Sequence, residues 1–278
     1  MAPVRVVVVG AGVVGLSTAV CISEALPSCS VTLVADRFSP DTTSDGAAGI
    51  VLPAEFPDIP LERQRRWFKD SFDHLLEIAQ SQHSPDAGVI LSSGFRRAGG
   101  LVEKRKVNSL QELSHFDLIV NCSGLGSRTL VGDTHVYPVR GQVLKVEAPW
   151  LKHFIRDGDG KTYIYPGVHG VTLGGTRQEG DWRLQVDRGE AESILERSSR
   201  LEPSLTKAKV LGEWVGLRPG RRNLKVEREA VYLQGRWVPV VHNYGHGGFG
   251  VTLAWGTALD ALGLVRQCLN EKPQQAKL

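Results

Sequence analysis

A run of β-branched residues near the N-terminus leads directly into three spaced glycines. Residues 4–9 read Val-Arg-Val-Val-Val-Val, and Gly10, Gly12 and Gly15 follow them. An unbroken β-branched run is typical of a strand buried on both faces of a sheet, and the small and apolar residues 16–20 are typical of a helix packed on that sheet. Gly10 can adopt backbone angles closed to other residues, Gly12 leaves room for a pyrophosphate, and Gly15 lets helix and strand pack closely. The segment predicts a β-turn-α unit that binds phosphate at the helix N-terminus.

A second apolar strand supports this interpretation. Residues 31–34 read Val-Thr-Leu-Val, and Asp36 follows two positions later. It stands roughly 20 residues past the glycines, where a ribose-binding acid is expected. A carboxylate there accepts hydrogen bonds from ribose hydroxyls and favours a cofactor without a 2′-phosphate, a preference that the neighbouring Arg37 leaves open. The alternative is a glycine turn that serves only packing, and the spacing to Asp36 disfavours it.

Composition narrows the class of protein. The chain has 278 residues, 41% of them hydrophobic and 23% charged, which is ordinary for a folded globular protein of one large or two small domains. A net charge of +3, mixed along the chain, gives no case for nucleic acid or an anionic membrane surface as a partner. The sequence shows neither a secretory signal nor a stretch near the roughly 18 apolar residues that span a bilayer. The four cysteines lack metal-ligand spacing, so we expect reduced thiols and no metal.

The last three residues, Ala276, Lys277 and Leu278, are a conservative variant of the Ser-Lys-Leu signal of the peroxisomal import receptor. The polar residues 271–275 precede them. We therefore expect the protein in the peroxisomal matrix, with a chance match as the alternative.

The rest of the chain predicts two kinds of sheet. Apolar strands at 101–107 and 116–122 return to the nucleotide-binding sheet, the second ending in a glycine turn with Ser123. From residue 138 the pattern changes to short alternating strands with hairpin spacing, typical of an antiparallel sheet. These strands are predicted at 143–146, 163–165, 171–173, 209–212, 224–232 and 237–241. A further strand is predicted at 88–91, and helices at 61–80, 189–200 and 256–269.

The fold class is accordingly α/β with a second domain built on a mainly antiparallel sheet. We assign residues 1–137 and 243–278 to a discontinuous nucleotide-binding domain and residues 138–242 to a substrate domain. A glycine-rich turn at 245–250 precedes the last helix and predicts a second ligand-facing helix N-terminus, with a packing turn as the alternative.

Several motifs together resemble the D-amino-acid oxidase family over nearly the whole chain, in the family's order. They are Val-Val-Gly-Ala-Gly-Val-Val-Gly at 8–15, Ala-Asp-Arg-Phe at 35–38, Ala-Ala-Gly at 47–49, Val-Asn-Cys-Ser-Gly at 120–124, Arg-Gly-Gln at 140–142, Leu-Gly-Gly-Thr at 173–176, Gly-Leu-Arg-Pro at 216–219 and His-Asn-Tyr-Gly-His-Gly-Gly at 242–248. The resemblance implies a Rossmann-like FAD-binding domain and an oxidase that converts a D-amino acid and dioxygen into a 2-oxo acid, ammonia and hydrogen peroxide. Because the family transfers the α-hydrogen to the flavin as hydride, the resemblance implies no acid or base residue.

The resemblance also implies which residues bind FAD and substrate. Those implied at FAD are Gly10, Gly12, Val13, Val14, Gly15, Asp36, Arg37, Thr43, Ser44, Gly49, Ile50, Val107, Ser123, Gly247, Val251 and Thr252. Arg218 matches the arginine that clamps the substrate α-carboxylate, Tyr163 supports that carboxylate, and the Gly248 carbonyl takes the amine. The neighbouring Arg221 and Arg222 are expected to be solvated.

Substrate choice depends on Arg177. The family members for neutral substrates carry an apolar residue at this position, whereas a second guanidinium would neutralise a side-chain carboxylate. We therefore expect an acidic D-amino acid such as D-aspartate. The alternative is a neutral D-amino acid as substrate, in which case Arg177 is simply an exposed residue at a strand end.

The chain departs from the family in length. Full-length relatives are longer by roughly 60 residues, a large part of one domain, and the gap falls at residues 94–99. Loss of packed elements exposes apolar surface and strand edges, so a catalytically impaired form that at most binds FAD is an alternative. A nicotinamide-dependent dehydrogenase is a third hypothesis, which fits the N-terminal glycines alone.

Overall fold

The computed structural model describes residues 3–47, 51, 55–81, 100–158, 160–167 and 170–271. Gly49, Ile50, the predicted strand at 88–91, the gap position at 94–99 and the C-terminal tripeptide lie outside the described residues.

Twelve strands and five helices form within those ranges. The strands are β1 (Val4–Val9), β2 (Cys29–Ala35), β3 (Leu101–Lys104), β4 (Leu118–Asn121), β5 (Tyr137–Glu147), β6 (Ile155–Arg156), β7 (Tyr163–Gly167), β8 (Gly170–Gly174), β9 (Gln178–Glu179), β10 (Lys209–Gly220), β11 (Lys225–Leu233) and β12 (Arg236–Tyr244). The helices are α1 (Val13–Ala25), α2 (Leu61–Gln80), α3 (Ser127–Leu130), α4 (Arg188–Leu201) and α5 (Gly250–Asn270).

The first sheet has the strand order β11-β12-β4-β1-β2-β3. Strand β1 pairs in parallel with β2 on one side and with β4 on the other, as the β-branched run predicts. Alternate valines of β1 enter two separate cores. Val6 and Val8 pack with the apolar residues of α5, such as Ala258, whereas Val7 and Val9 pack toward Leu113. The strand is therefore covered on both faces.

The second sheet has the order β10-β5-β8-β7-β6, with β9 paired to β5, and all its pairs are antiparallel. Helix α4 covers one face, where Ile194 packs with Leu144 and Leu173. The two sheets confirm the α/β fold with a separate antiparallel sheet.

Two strands lie in a different sheet from the one predicted. We expected strands at 224–232 and 237–241 in the antiparallel sheet, but β11 and β12 belong to the first sheet. They pair with each other antiparallel, while β12 pairs in parallel with β4. Hairpin spacing reveals only the local pairing, so it does not indicate which sheet the hairpin joins.

Helix α5 begins earlier and is more apolar than predicted. By length and composition the helical stretch Gly247–Asn270 could cross a membrane, contrary to our expectation of no such stretch. Half of its most apolar window is buried inside the structure, and Ala258, Ala261 and Val265 belong to the core that also contains β1. Packing of a core helix therefore accounts for its composition.

The contact between α2 and α5 depends on Gly256. A Cβ atom there would lie 2.3 Å from the carbonyl oxygen of Trp67, whereas a Cβ on Gly263 of the same helix would meet nothing within 4 Å. We expect Gly256→Ala to lower the free energy of unfolding by about 1–3 kcal/mol, because the two helices must move apart. The matched control Gly263→Ala should leave it unchanged or raise it by up to about 1 kcal/mol. Urea unfolding measures both, and equal midpoints for the two variants would contradict the close packing.

Candidate active site

A cleft of about 760 Å³ lies at the carboxyl ends of β1 and β4 and extends to the antiparallel sheet. Its position is the switch point of the first sheet, because the chain runs from β1 to β2 on one side and returns as β4 on the other. Ligands of open α/β sheets bind at such points. Nearly all the described residues that the sequence singled out line this one cleft. They are Gly10, Gly12, Val13, Val14, Gly15, Asp36, Arg37, Thr43, Ser44, Val107, Ser123, Tyr163, Arg177, Arg218, Gly247, Gly248 and Val251.

Glycines 10 and 15 allow the chain to fold tightly at the cleft floor. Gly10 has φ of 109°, and a Cβ on it would lie 2.4 Å from the carbonyl oxygen of Cys122. A Cβ on Gly15 would lie 1.8 Å from the carbonyl oxygen of Gly10. Helix α1 then starts at Val13, whose N–H donates to Ser44 Oγ at 2.9 Å. A helix N-terminus preceded by the small residues Gly10, Ala11 and Gly12 suits a pyrophosphate.

Polar groups continue along this side of the cleft. Ser123 Oγ donates to Asn121 Oδ1 at 2.6 Å, which holds the turn after β4. Asn243 also lines the cleft, and its buried Oδ1 has no hydrogen-bond partner among the described residues. Thr252 is different. It is buried in α5 and is not among the residues that line the cleft, so its assignment to the cofactor stays a prediction.

At the other end of the cleft, two glycines make room for Arg218 and Tyr163. A Cβ on Gly141 would lie 2.1 Å from Arg218 Nη1, and a Cβ on Gly174 would lie 1.8 Å from Tyr163 Cζ. Arg218 Nη1 donates to the carbonyl oxygens of Thr176 at 3.3 Å and Val139 at 3.5 Å. Both side chains thus lie directly against the backbone of the sheet.

The charge of Arg218 has no carboxylate partner within the described part of the chain. Burial lowers the pKa of Arg218, the hydrogen-bonded Tyr163 raises it, and the positive charge of Arg177 lowers it further. Burial raises the pKa of Tyr163 in turn, so its hydroxyl stays protonated and able to donate. A buried guanidinium without a counter-ion is a site for an anionic ligand.

Arg177 and Arg156 also line the cleft. Arg177 is 67% exposed and lies 3.4 Å from Glu179 Oε1. Arg156, which sequence reasoning missed, also lines the cleft and donates to the hydroxyl of Tyr165. It belongs to the two-residue strand β6, where it pairs with Tyr163. A strand that short has no periodicity, so only its pairing with the predicted Tyr163 strand could have revealed it.

A second polar cluster missed by sequence reasoning closes the cleft wall. Asp133 Oδ2 accepts from Tyr244 Oη at 2.8 Å and from Arg221 Nε at 3.0 Å. The expectation that Arg221 is solvated was wrong, since its side chain is 20% exposed and that of Asp133 is 7% exposed. Arg222 is exposed as expected and pairs with Asp58. Asp133 therefore ties the end of β10 to the end of β12.

This cluster predicts a pH dependence of stability. Burial alone would raise the pKa of Asp133, but hydrogen bonds from Tyr244 and Arg221 outweigh it and lower the pKa to about 2. A carboxyl whose pKa is lower in the folded state adds stability above the unfolded-state pKa of about 4, and that stability is lost as pH falls toward 2. Asp133→Asn should therefore lose roughly 2 kcal/mol at neutral pH.

Urea unfolding between pH 5 and pH 3 provides the measurement. The wild-type chain should lose about 1 kcal/mol more than Asp133→Asn over this range, from the same linkage. Asp58→Asn, which removes an exposed pair, is the control and should change stability little. Parallel curves for wild type and Asp133→Asn would show that Asp133 does not contribute in this way.

Comparison with known proteins agrees with this geometry. The model of a family described as FAD dependent oxidoreductase matches residues 5–102 and 91–261. Human D-aspartate oxidase is 45% identical, with 96% of each chain covered, and D-amino-acid oxidase of Rubrobacter xylanophilus is 37% identical, with 96% of this chain and 97% of that protein covered. Among solved structures, glycine oxidase of Geobacillus kaustophilus superposes with a TM-score of 0.77 at 18% identity, covering 95% of each chain, which shows the same fold.

The same comparisons confirm the shortening. The alignment to the human protein is 326 positions long, although this chain has 278 residues. The two family matches overlap at residues 91–102, which places the missing segment there. The predicted gap at residues 94–99 lies within that overlap. A nicotinamide-dependent dehydrogenase does not agree with such a match, and the chain belongs to the FAD-dependent oxidoreductase family as a shortened member.

Proposed function

We propose that the protein is an FAD-dependent oxidase that converts acidic D-amino acids, D-aspartate in particular, into the 2-oxo acid, ammonia and hydrogen peroxide. The observation that carries the proposal is the buried, carboxylate-free guanidinium of Arg218 in the same cleft as the glycine turn. Arg177 supplies a second positive charge there, close enough to lower the pKa of Arg218. The neighbouring guanidiniums of Arg218 and Arg177 suit a ligand with two carboxylates.

The described residues fit FAD. The turn at residues 10–15 has no room for a Cβ at Gly10 or Gly15 and would hold the pyrophosphate, with Asp36 at the ribose. Gly247 and Val251, which line the cleft before and in α5, would lie beside the ring system. When bound, FAD accepts the two electrons that leave the substrate Cα–H bond and passes them to dioxygen.

The chain's own residues would bind and orient the substrate. Arg218 would hold the α-carboxylate by its planar fork, and the protonated Tyr163 hydroxyl would donate to the same group. The carbonyl of Gly248 would accept from the amine, and Arg177 would pair with the side-chain carboxylate. This orientation would place the Cα–H bond toward the cofactor, and water would then convert the product imine into oxo acid and ammonia.

The domain division stays part of the proposal. Residues 1–137 and 243–278 would hold FAD, and residues 138–242 would supply the substrate contacts. Tyr163, Arg177 and Arg218 all precede β11, so the placement of the β11–β12 hairpin in the first sheet leaves these contacts with the antiparallel sheet.

Peroxisomal location also belongs to the proposal, because a reaction that yields hydrogen peroxide suits that compartment. The import signal proposed is Ala276, Lys277 and Leu278. A fluorescent protein fused in front of the chain and spread evenly through the cytosol would contradict it.

The visible spectrum of the purified protein tests the function. We expect flavin absorption bands that bleach when D-aspartate is added without oxygen, because the substrate delivers two electrons to the bound cofactor. Readmission of oxygen should restore the bands and release hydrogen peroxide. A colourless, protease-sensitive product would favour the impaired form, and a flavin that D-aspartate leaves oxidised would favour mere FAD binding.

The role of Arg177 is tested by comparing it with Arg156, which also lines the cleft. We expect Arg177→Leu to lower kcat/KM for D-aspartate by about tenfold or more, because the side-chain carboxylate loses its counter-charge. Turnover of D-alanine should not fall. The ratio of the two kcat/KM values is the measurement, and Arg188→Leu, at an exposed arginine that does not line the cleft, is the control. Loss of the preference in Arg156→Leu but not in Arg177→Leu would transfer this role to Arg156.

A further inference from the structure

Arg140 is a buried arginine that does not line the cleft. Its side chain is 0% exposed, and it forms an ion pair with Glu190 of α4 at 2.6 Å. Its Nε donates to the carbonyl oxygen of Arg183 at 3.0 Å, and its Nη2 donates to that of Gln185 at 2.7 Å. Such a charge is fixed in place, because any shift would leave donors unsatisfied in the interior.

A closed ring of hydrogen bonds joins Arg140, Gln178 and Glu190. Arg140 Nη1 donates to Gln178 Oε1 at 2.7 Å and to Glu190 Oε2 at 2.6 Å. Gln178 Nε2 donates to Glu190 Oε1 at 2.6 Å. The ring thus clamps the side chain of Gln178, which directly follows Arg177 in the chain.

The segment at residues 176–178 also contacts Arg218. Thr176, which precedes Arg177, accepts from Arg218 through its carbonyl oxygen at 3.3 Å. Val139, which precedes Arg140, accepts from Arg218 at 3.5 Å. Strand β9 has only two residues, so its backbone pairing with β5 holds this segment only weakly. The ring of hydrogen bonds therefore does most to fix the position of the segment.

We propose that Arg140, Gln178 and Glu190 are positioning residues that set the distance between the guanidiniums of Arg177 and Arg218. This inference rests on the proposed function. The distance selects the length of the dicarboxylate, because D-aspartate and D-glutamate differ by one methylene between their carboxylates. A segment released from the ring would let Arg177 move relative to Arg218 and accept both lengths.

Gln178→Met tests the inference, since it removes both hydrogen bonds at similar volume. We expect the ratio of kcat/KM for D-aspartate to that for D-glutamate to fall several-fold, mainly through a higher KM for D-aspartate. D-alanine, which has no side-chain carboxylate, should be turned over as before. Gln185→Met is the matched control, because Gln185 is exposed and gives Arg140 only its carbonyl oxygen.

The ratio of two substrates does not depend on how much enzyme is folded, so a purely structural role would leave it unchanged. Glu190→Gln, which removes only the charge, is the second variant should Gln178→Met fail to fold, and we expect a change in the same direction. If the wild-type enzyme prefers D-aspartate but the folded variants keep the same ratio of kcat/KM for D-aspartate to D-glutamate, the inference is overturned and the proposed function stands. A wild-type chain that turns over no acidic D-amino acid overturns the proposed function and the inference with it.

Discussion

The close contact of Gly10 and Gly15 with the end of β4 is the constraint on which the cleft depends. The backbone atoms there leave no space for side chains, so strand β1, helix α1 and the turn after β4 meet without intervening groups. Any side chain at this point would push α1 away from the sheet and remove its N-terminus from the cleft floor. The β-branched run of β1 is the complement of this turn, because burial on both faces fixes the strand from which the turn begins.

In the antiparallel sheet, too, glycines make room for a close contact that forms part of the cleft. Arg218 occupies the space over Gly141, and Tyr163 occupies the space over Gly174. Both glycines lie in strands, where they weaken pairing but bring a functional side chain close to the backbone. The buried charge of Arg218 is held only by carbonyl oxygens and a hydroxyl within the described residues, which leaves its attraction for a carboxylate uncompensated.

Much of the fold and of the cleft could be predicted from the sequence where a local pattern of residues determines the structure. The amphipathic pattern of α2 gave its bounds correctly, and the helix predicted at 189–200 is Arg188–Leu201. Strand periodicity failed for β11 and β12, since the choice of sheet depends on the distant strand β4. The early start of α5 was missed because glycines 247, 248 and 250 read as a loop. Arg156 was missed because its two-residue strand has no periodicity, and Asp133 was missed because it acquires its role through a long-range contact with Arg221.

The overlap of the two family matches reaches the edge strand of the first sheet, β3, and the chain after β3 continues into Val107 at the cleft. The overlap of the two family matches lies just before and within β3, and no strand of the described residues pairs with the outer side of β3. Leu101 and Val102 of this strand are exposed. Exposed apolar residues on an unpaired edge strand lower the stability of the fold and favour edge-to-edge association between chains. The glycine turn, Arg218 and Tyr163 belong to strands β1, β7 and β10 or to their ends, whose pairing does not involve β3. The physical consequence of the missing segment is therefore expected in folding and solubility before it is expected in the chemistry of the cleft.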